Sequence, residues 1–330
     1  MITKSKILIL GTGAFGTALS QPLIDNGHEV YFFSKNQAVL EELTKGQHHL
    51  FPNTHLSTPT GTFSSLQEAF ATVKFNFILL AVPSKALPVV YEELKPFLNK
   101  EIAIINTSKG LANNAEGVWS NLFKKDNLNE HYALIVGPSF ADEIVTRQKT
   151  IVNVVSDDPE FNLSVCNIFN NNYFKMIPFG DEFVASLASS FKNSLALALG
   201  LLSTFTESLN TRSAYLTIGV SEIQKIINVL EPHFKRSILH FFGIGDIFLT
   251  CNSEMSRNYS FGKLIGKVGF AEANKQQSGT TIEGVRTLTF IHRYAEEYQL
   301  QLPLFDILYQ ICYENKSHTS FVEDVWQAFK

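Results

Sequence analysis

The stretch Gly11-Thr-Gly-Ala-Phe-Gly16 constrains this chain most, because of what stands on either side of it. Ahead runs Lys6-Ile-Leu-Ile-Leu10, an apolar run that reads as a strand buried on both faces. Behind it, Thr17-Ala18-Leu19 with Leu23 and Ile24 opens a helix. A strand, a G-x-G-x-x-G turn and a helix in succession form a dinucleotide-binding fingerprint. Gly11 permits the tight turn, Gly13 lets a pyrophosphate approach the backbone, and Gly16 lets helix and strand pack closely. The free N–H groups of the first helical turn face the phosphates.

An acidic residue for the adenosine ribose 2′-hydroxyl belongs roughly 20 residues further on. Val30-Tyr-Phe-Phe33 reads as the second strand, and its end carries Ser34-Lys35-Asn36, with no Asp or Glu. Glu29 falls at the opposite end of that strand. A hydroxyl and an ammonium there tolerate or prefer a 2′-phosphate, so NADP, or both NADP and NAD, is the expected cofactor. The plainer reading of Lys35 is a solvated loop lysine.

The chain has 330 residues, enough for two domains with a substantial core. Its balance of 45% hydrophobic and 18% charged residues is that of a globular protein rather than a disordered one. A net charge of −4 without a long basic block argues against nucleic acid as a partner. Three widely spaced cysteines (Cys166, Cys251, Cys312) suit a reducing cytoplasm better than a disulfide framework or a zinc site, and no metal is expected. The N-terminal segment leads into a strand without an apolar leader, and the apolar stretch near Leu195–Leu202 is too short to span a bilayer. A cytoplasmic protein without an integral membrane segment is expected.

Apolar runs alternate with helical stretches through the first half. Phe75–Val82, Ile102–Ile105, Ala133–Val136 and Thr150–Val155 read as strands. Ser65–Phe70, starting after a serine cap, and Val89–Leu98 read as helices, and His48–Asn53 with Thr54–Thr62 reads as loop. The alternation specifies a Rossmann-type, doubly wound, mostly parallel α/β sheet. From about Asp181 the texture turns α-helical: a long helix over Phe183–Thr206, then Leu216–Val229, Thr287–Tyr298 and Leu304–Tyr313. The expected division is a dinucleotide-binding domain over 1–180 and a mostly helical substrate and catalytic domain over 181–330.

Ligands in such sheets sit beyond the carboxyl ends of the strands. Three segments there, Pro83-Ser84-Lys85, Asn106-Thr-Ser-Lys-Gly110 and Gly137-Pro-Ser-Phe-Ala-Asp-Glu143, combine Gly or Pro with hydroxyl or ammonium donors. Each alone reads as an ordinary loop; together at one sheet edge they point to a phosphorylated substrate. In the helical half, Lys192 stands among Ala, Leu and Phe and must snorkel, pair or function. A lysine losing its hydration can serve as a general acid/base. Gly243-Ile-Gly-Asp246 supplies close backbone and a charge partner, and Ser256-Arg257-Asn258 is either an exposed polar loop or a donor set for a phosphate.

In this order the pieces resemble the NAD(P)-dependent glycerol-3-phosphate dehydrogenase family of bacterial type. The resemblance runs through G-T-G-A-F-G-T-A-L, A-V-P-S, S-K-G-L, G-P-S-F-A-D-E, K-N, N-x-R, G-I-G-D-I-F-L-T-C, S-R-N-x-x-F-G and I-E-G-V-R-T, nearly the whole chain. It implies reduction of dihydroxyacetone phosphate to sn-glycerol 3-phosphate with NADP or NAD, feeding glycerophospholipid synthesis. It implies Lys192 as catalytic acid/base, with Asp246 holding substrate and lysine in position. Lys109, Gly137, Ser139, Ser256, Arg257 and Asn258 would contact the substrate. Gly11, Gly13, Ala14, Phe15, Gly16, Lys35, Lys109, Ala141, Arg257, Thr281 and Glu283 would contact the cofactor. A homodimer is the expected assembly.

Two places depart from the family pattern. The usual glycine-rich stretch after the lysine helix reads Thr206–Gly219 here, keeping Asn210 and Arg212 but placing Ile218 where an arginine is usual. The arginine expected shortly after A-V-P-S is replaced by Pro88. Losing one such arginine removes a charge-assisted bond of roughly 1.5–3 kcal/mol. Two alternatives follow: a dehydrogenase of another small phosphorylated hydroxy compound, or a non-catalytic NAD(P)-binding sensor.

Overall fold

The computed structural model describes residues 4–111, 117–125, 131–232, 238–277 and 282–329. They divide into two compact units, Met1–Phe183 and Val184–Lys330. The first holds one sheet of eight strands: β1 (Lys6–Leu10), β2 (Glu29–Phe33), β3 (Gly61–Phe63), β4 (Phe77–Leu80), β5 (Ala103–Asn106), β6 (Tyr132–Val136), β7 (Thr150–Val155) and β8 (Phe174–Phe179). Its helices are α1 (Ala14–Asp25), α2 (Gln37–Thr44), α3 (Leu66–Thr72), α4 (Leu87–Leu94), α5 (Ser120–Lys124), α6 (Ala141–Val145) and α7 (Pro159–Phe169).

The strand order is β3-β2-β1-β4-β5-β6-β7-β8, parallel throughout except where β6 and β7 run antiparallel. The mostly parallel, doubly wound reading is right. The order reverses at β1, which pairs with β2 on one side and β4 on the other. That switch point lies where the glycine turn leaves the sheet, which is where such folds leave a crevice. Every residue of β4, β5 and β6 is buried, so their unbroken apolar runs serve both faces of the sheet.

Several local readings need correction. Within the expected loop Thr54–Thr62, Gly61 and Thr62 open strand β3; at three residues it is too short to show a period. Strand β8 was not foreseen, because its KMIP interior alternates poorly. The helix expected over Val89–Leu98 is α4, starting at Leu87, and gives way to a 3-10 turn at Lys95–Phe97, where Pro96 cannot donate a backbone hydrogen bond. Ser65 does cap α3, its hydroxyl accepting the Glu68 N–H.

The second unit is built from α8 (Glu182–Leu202, whose first two residues belong to the first unit), α9 (Leu209–Leu230), α10 (Asp246–Cys251), α11 (Arg257–Val268), α12 (Phe270–Gln276), α13 (Glu283–Glu297), α14 (Pro303–Tyr313) and α15 (Phe321–Ala328). Helix α8 fills the expected long helix Phe183–Thr206 but ends four residues earlier, at Leu202. At 21 residues it is, by length and composition, long and apolar enough to cross a membrane, although the apolar stretch Leu195–Leu202 alone is not. Its most apolar window is nevertheless wholly buried inside the protein, as a core helix is. Glycines let α11 lie almost backbone to backbone on α8. A Cβ on Gly262 would fall 2.1 Å from the Leu197 carbonyl oxygen, and one on Gly200 would fall 2.0 Å from that of Tyr259.

Candidate active site

The glycine turn of the first unit has the shape its sequence demands. Gly11 has φ +116°, and a Cβ there would stand 2.3 Å from the Ala81 carbonyl oxygen, in the segment after β4. A Cβ on Gly16 would stand 2.0 Å from the Gly11 carbonyl oxygen, so the start of α1 and the turn are in contact. Gly13, by contrast, has nothing within 4 Å of a Cβ position, which leaves its backbone open to a ligand. Ala14 and Phe15 lie half-buried in the first turn of α1, and Ala141 half-buried at the start of α6, all packed against the sheet's core.

The loops after β4, β5 and β6 are tied into one surface. Thr107 donates its hydroxyl to the Leu80 carbonyl (3.0 Å), Ser108 to the Val82 carbonyl (2.6 Å), and Lys109 Nζ reaches the Gly137 carbonyl at 3.5 Å. Ser139 donates to the same Gly137 oxygen at 3.0 Å. Gly137 sits at φ +144° with Val152 Cα only 3.0 Å from its Cβ position, so no side chain fits there. Gly11, the Ala81–Val82 segment, Lys109, Gly137 and Ser139 thus form a continuous line at the carboxyl ends of the strands. Lys35 follows β2 and holds Glu93 of α4 at 2.8 Å, both side chains exposed to solvent.

A buried network that sequence reading missed supports the Lys109 loop from below. Asn106 Nδ2 donates to the Tyr132 hydroxyl (2.9 Å), and Asn106 Oδ1 accepts the Ser108 N–H (2.9 Å). Glu182 accepts from the Ser120 N–H at 3.2 Å and also hydrogen-bonds Tyr132. Burial pushes the Glu182 carboxyl up, against the pull of these donors. It pushes the Tyr132 phenol well up too, reinforced by the charge of Glu182.

In the second unit Lys192 does not snorkel; it is paired. Its Nζ lies 2.5 Å from Asp246 Oδ2, with the two side chains only 4% and 2% exposed. It also donates to Thr250 Oγ1 at 3.2 Å, while the Thr250 hydroxyl donates in turn to the Asp246 backbone carbonyl oxygen at 2.6 Å. Asp246 is the first residue of α10. A π-helical turn at Phe241–Gly245 delivers it, and a Cβ on Gly243 would meet the Ile238 oxygen at 2.0 Å. Thr250 follows Asp246 by four residues on one helical face, and that spacing was the signal available for it. The neighbouring Cys251 thiol is driven upward by burial and is inert as a nucleophile.

One residue further along α8, Asn193 joins the remaining pieces. It donates to Glu283 at 3.1 Å and accepts from Asn258 at 3.1 Å, while Asn258 accepts the Gly284 N–H at 2.8 Å. Ser256, Arg257 and Asn258 are therefore no exposed loop: buried Ser256 caps α11 by accepting the Tyr259 N–H, Arg257 is exposed in its first turn, and Asn258 is half-buried. Lys192, Asp246, Asn258 and Glu283 come together around two successive residues of one helix. Thr281 lies outside the described residues.

A family model of the NAD-dependent glycerol-3-phosphate dehydrogenase N-terminus matches residues 6–162, and one of its C-terminus matches residues 181–323. The chain belongs to that family. Glycerol-3-phosphate dehydrogenase (NAD(P)+) of Malacoplasma penetrans is 35% identical over 315 residues, which cover 93% of this chain and 92% of that protein. The protein of the same name from Mesoplasma florum is 30% identical over 338 residues, covering 100% and 99%. The crystal structure of glycerol-3-phosphate dehydrogenase from Coxiella burnetii superposes with a TM-score of 0.82 at 27% identity, over 98% of this chain and 99% of that one. Family membership covers both units, so the fingerprint in one and the Lys192–Asp246 pair in the other belong to one enzyme fold.

Proposed function

We propose that the chain reduces dihydroxyacetone phosphate to sn-glycerol 3-phosphate at the expense of NADPH or NADH, and runs the reverse oxidation. The observation that carries this reading is the Lys192–Asp246 pair at 2.5 Å, with Thr250 as third member, in a family of NAD-dependent dehydrogenases. A non-catalytic sensor has no need of a buried proton donor.

The residues of the first unit fit the cofactor. The open backbone at Gly13 suits a pyrophosphate, with the first-turn N–H groups of α1 beside it. Ala14, Phe15 and Ala141 offer half-buried apolar contact, and Lys35, exchanging Glu93 for a 2′-phosphate, would let NADP bind. The bound nicotinamide supplies hydride to C2 of the substrate. Lys109, Gly137 and Ser139 bind and orient the substrate, Lys109 also reaching the cofactor, and the Ser256 hydroxyl, Arg257 and Asn258 hold its phosphate. Arg257, Thr281 and Glu283 complete the cofactor contacts. Lys192 Nζ gives a proton to the C2 carbonyl oxygen and takes it back from the hydroxyl in oxidation. Asp246 keeps that ammonium in place and charged until the proton leaves, and Thr250 fixes its direction.

The first unit would serve as the dinucleotide-binding domain and the second as the substrate and catalytic domain, the expected division between 180 and 181 falling three residues before the break between the units after Phe183. The enzyme works in the cytoplasm, where its three free, buried cysteines stay reduced, and as a homodimer, the commonest closed assembly. A second reading, another small phosphorylated hydroxy compound as substrate, draws on Ile218, a buried apolar side chain where the family pattern carries an arginine. Consumption of NADPH and NADH with dihydroxyacetone phosphate tests both, with wild type beside Lys192→Met. Saturable turnover, lost in the variant while cofactor still binds, supports the main reading. Cofactor binding without wild-type turnover moves the assignment to a different substrate.

A further inference from the structure

His48 has no part in the chemistry above, yet it is 2% exposed and fully engaged. It lies between α2 and β3, its ring stacked on His49 with centroids 4.5 Å apart. Nδ1 accepts the Leu50 N–H at 3.1 Å, so the ring proton sits on Nε2, which donates to the Thr12 carbonyl at 2.8 Å. Glu42, His48 and His49 bring ligand atoms within 4.8 Å of one another, but with both His48 nitrogens committed they do not make a cation site.

Thr12 is the second residue of the glycine turn, and its hydroxyl donates to Ser34 Oγ at 3.3 Å, so it is gripped by side chain and backbone. In a planar trans peptide the Thr12 carbonyl and the Gly13 N–H point in opposite directions. Fixing the carbonyl on His48 therefore fixes the Gly13 N–H facing away from it. Rotation of that peptide turns Thr12 ψ and Gly13 φ, and glycine at position 13 offers little intrinsic resistance to it. A rotated peptide would turn a carbonyl oxygen towards an anion.

We propose that His48 is a positioning residue for the dinucleotide, bracing the Thr12–Gly13 peptide so that an N–H and not a carbonyl oxygen meets the pyrophosphate. The role rests on the NAD(P) reading of the first unit.

The test compares wild type with His48→Phe, which keeps a ring but loses both bonds, and His48→Gln, which keeps a neutral N–H donor. NADPH affinity is read by fluorescence titration, and KM for NADPH, KM for dihydroxyacetone phosphate and kcat by turnover. Loss of the brace is expected to weaken NADPH about tenfold in His48→Phe, in Kd and KM alike. The substrate KM and kcat at saturating cofactor should stay within about twofold, with affinity largely recovered in His48→Gln. Wild-type NADPH affinity in His48→Phe, or a substrate KM rising as far as the cofactor KM, would overturn the proposal. A wild type that binds neither NADPH nor NADH would overturn the cofactor reading and this role with it. If His48→Phe does not fold, nitrogen NMR of the wild-type imidazole decides. An Nε2-protonated ring before and after NADPH addition is expected, and an Nδ1-protonated one overturns the proposal.

Discussion

The buried pair of Lys192 and Asp246 makes single substitutions hard to interpret. Removing the lysine alone takes the ammonium away from the buried Asp246 carboxylate, and breaking one half of a buried ion pair costs about 3–5 kcal/mol. Lys192→Met should therefore lose activity and stability together. Joined to Asp246→Asn it should regain most of the stability and none of the activity; urea unfolding beside turnover separates the two effects. Gly13 offers the opposite contrast. Its φ of −77° suits any residue and no atom stands near its Cβ position, so Gly13→Ala should melt at the wild-type temperature. A methyl group there intrudes only on a ligand, so NADPH affinity should fall by an order of magnitude or more, as titration would show. An unchanged affinity would place the pyrophosphate elsewhere.

At the scale of elements, what was legible in sequence is what local pattern controls. The glycine turn, the buried strands β1, β4, β5 and β6 and the Ser65 cap are all set by residues within a few positions of one another. Lys192 and Asp246 could be singled out as oddities in their surroundings, but their pairing joins positions 54 apart and depends on how α8 and α10 pack. The Asn106–Tyr132–Glu182 network and the Asn193 hub are equally non-local, and no spacing announces them. Another such link is Glu222 of α9, whose two oxygens accept the Leu304 and Phe305 N–H groups at the start of α14. Burial nonetheless pushes its carboxyl up to about 8, against those two bonds. The folded state therefore prefers the protonated acid. Its contribution is fully present below the unfolded value near 4.5 and is lost as pH rises through about 8. Wild type should lose up to about 1.4 kcal/mol per pH unit across that window from this group, and Glu222→Gln should flatten the slope. Urea midpoints at a series of pH values measure it.

For the molecule as a whole, the cysteines report on each unit separately. Cys166 lies in the first unit, Cys251 and Cys312 in the second, and all three are free and buried. Burial raises the Cys166 thiol to about 11 and that of Cys312 to about 12, and raises that of Cys251 as well. A thiol reagent should label none of them at neutral pH until a unit opens, and all of them in denaturant. NADPH at a hundred times its Kd should stabilise the unit that binds it by about 2.7 kcal/mol. Labelling of Cys166, followed by peptide mass spectrometry, should slow accordingly; slowing confined to Cys251 and Cys312 would move the cofactor to the other unit. The glycine contacts between α8 and α11 have a consequence for inheritance and for engineering. With Gly200 and Gly262 each facing a carbonyl oxygen of the opposite helix, neither helix can change its small residues alone. Glu182, by contrast, is bonded to Ser120 and Tyr132. A hybrid gene made from this chain and a relative keeps both sets of partners intact when its halves are joined just after Glu182, whereas recombination within α8 beyond Leu197 separates residues that only work as a matched set.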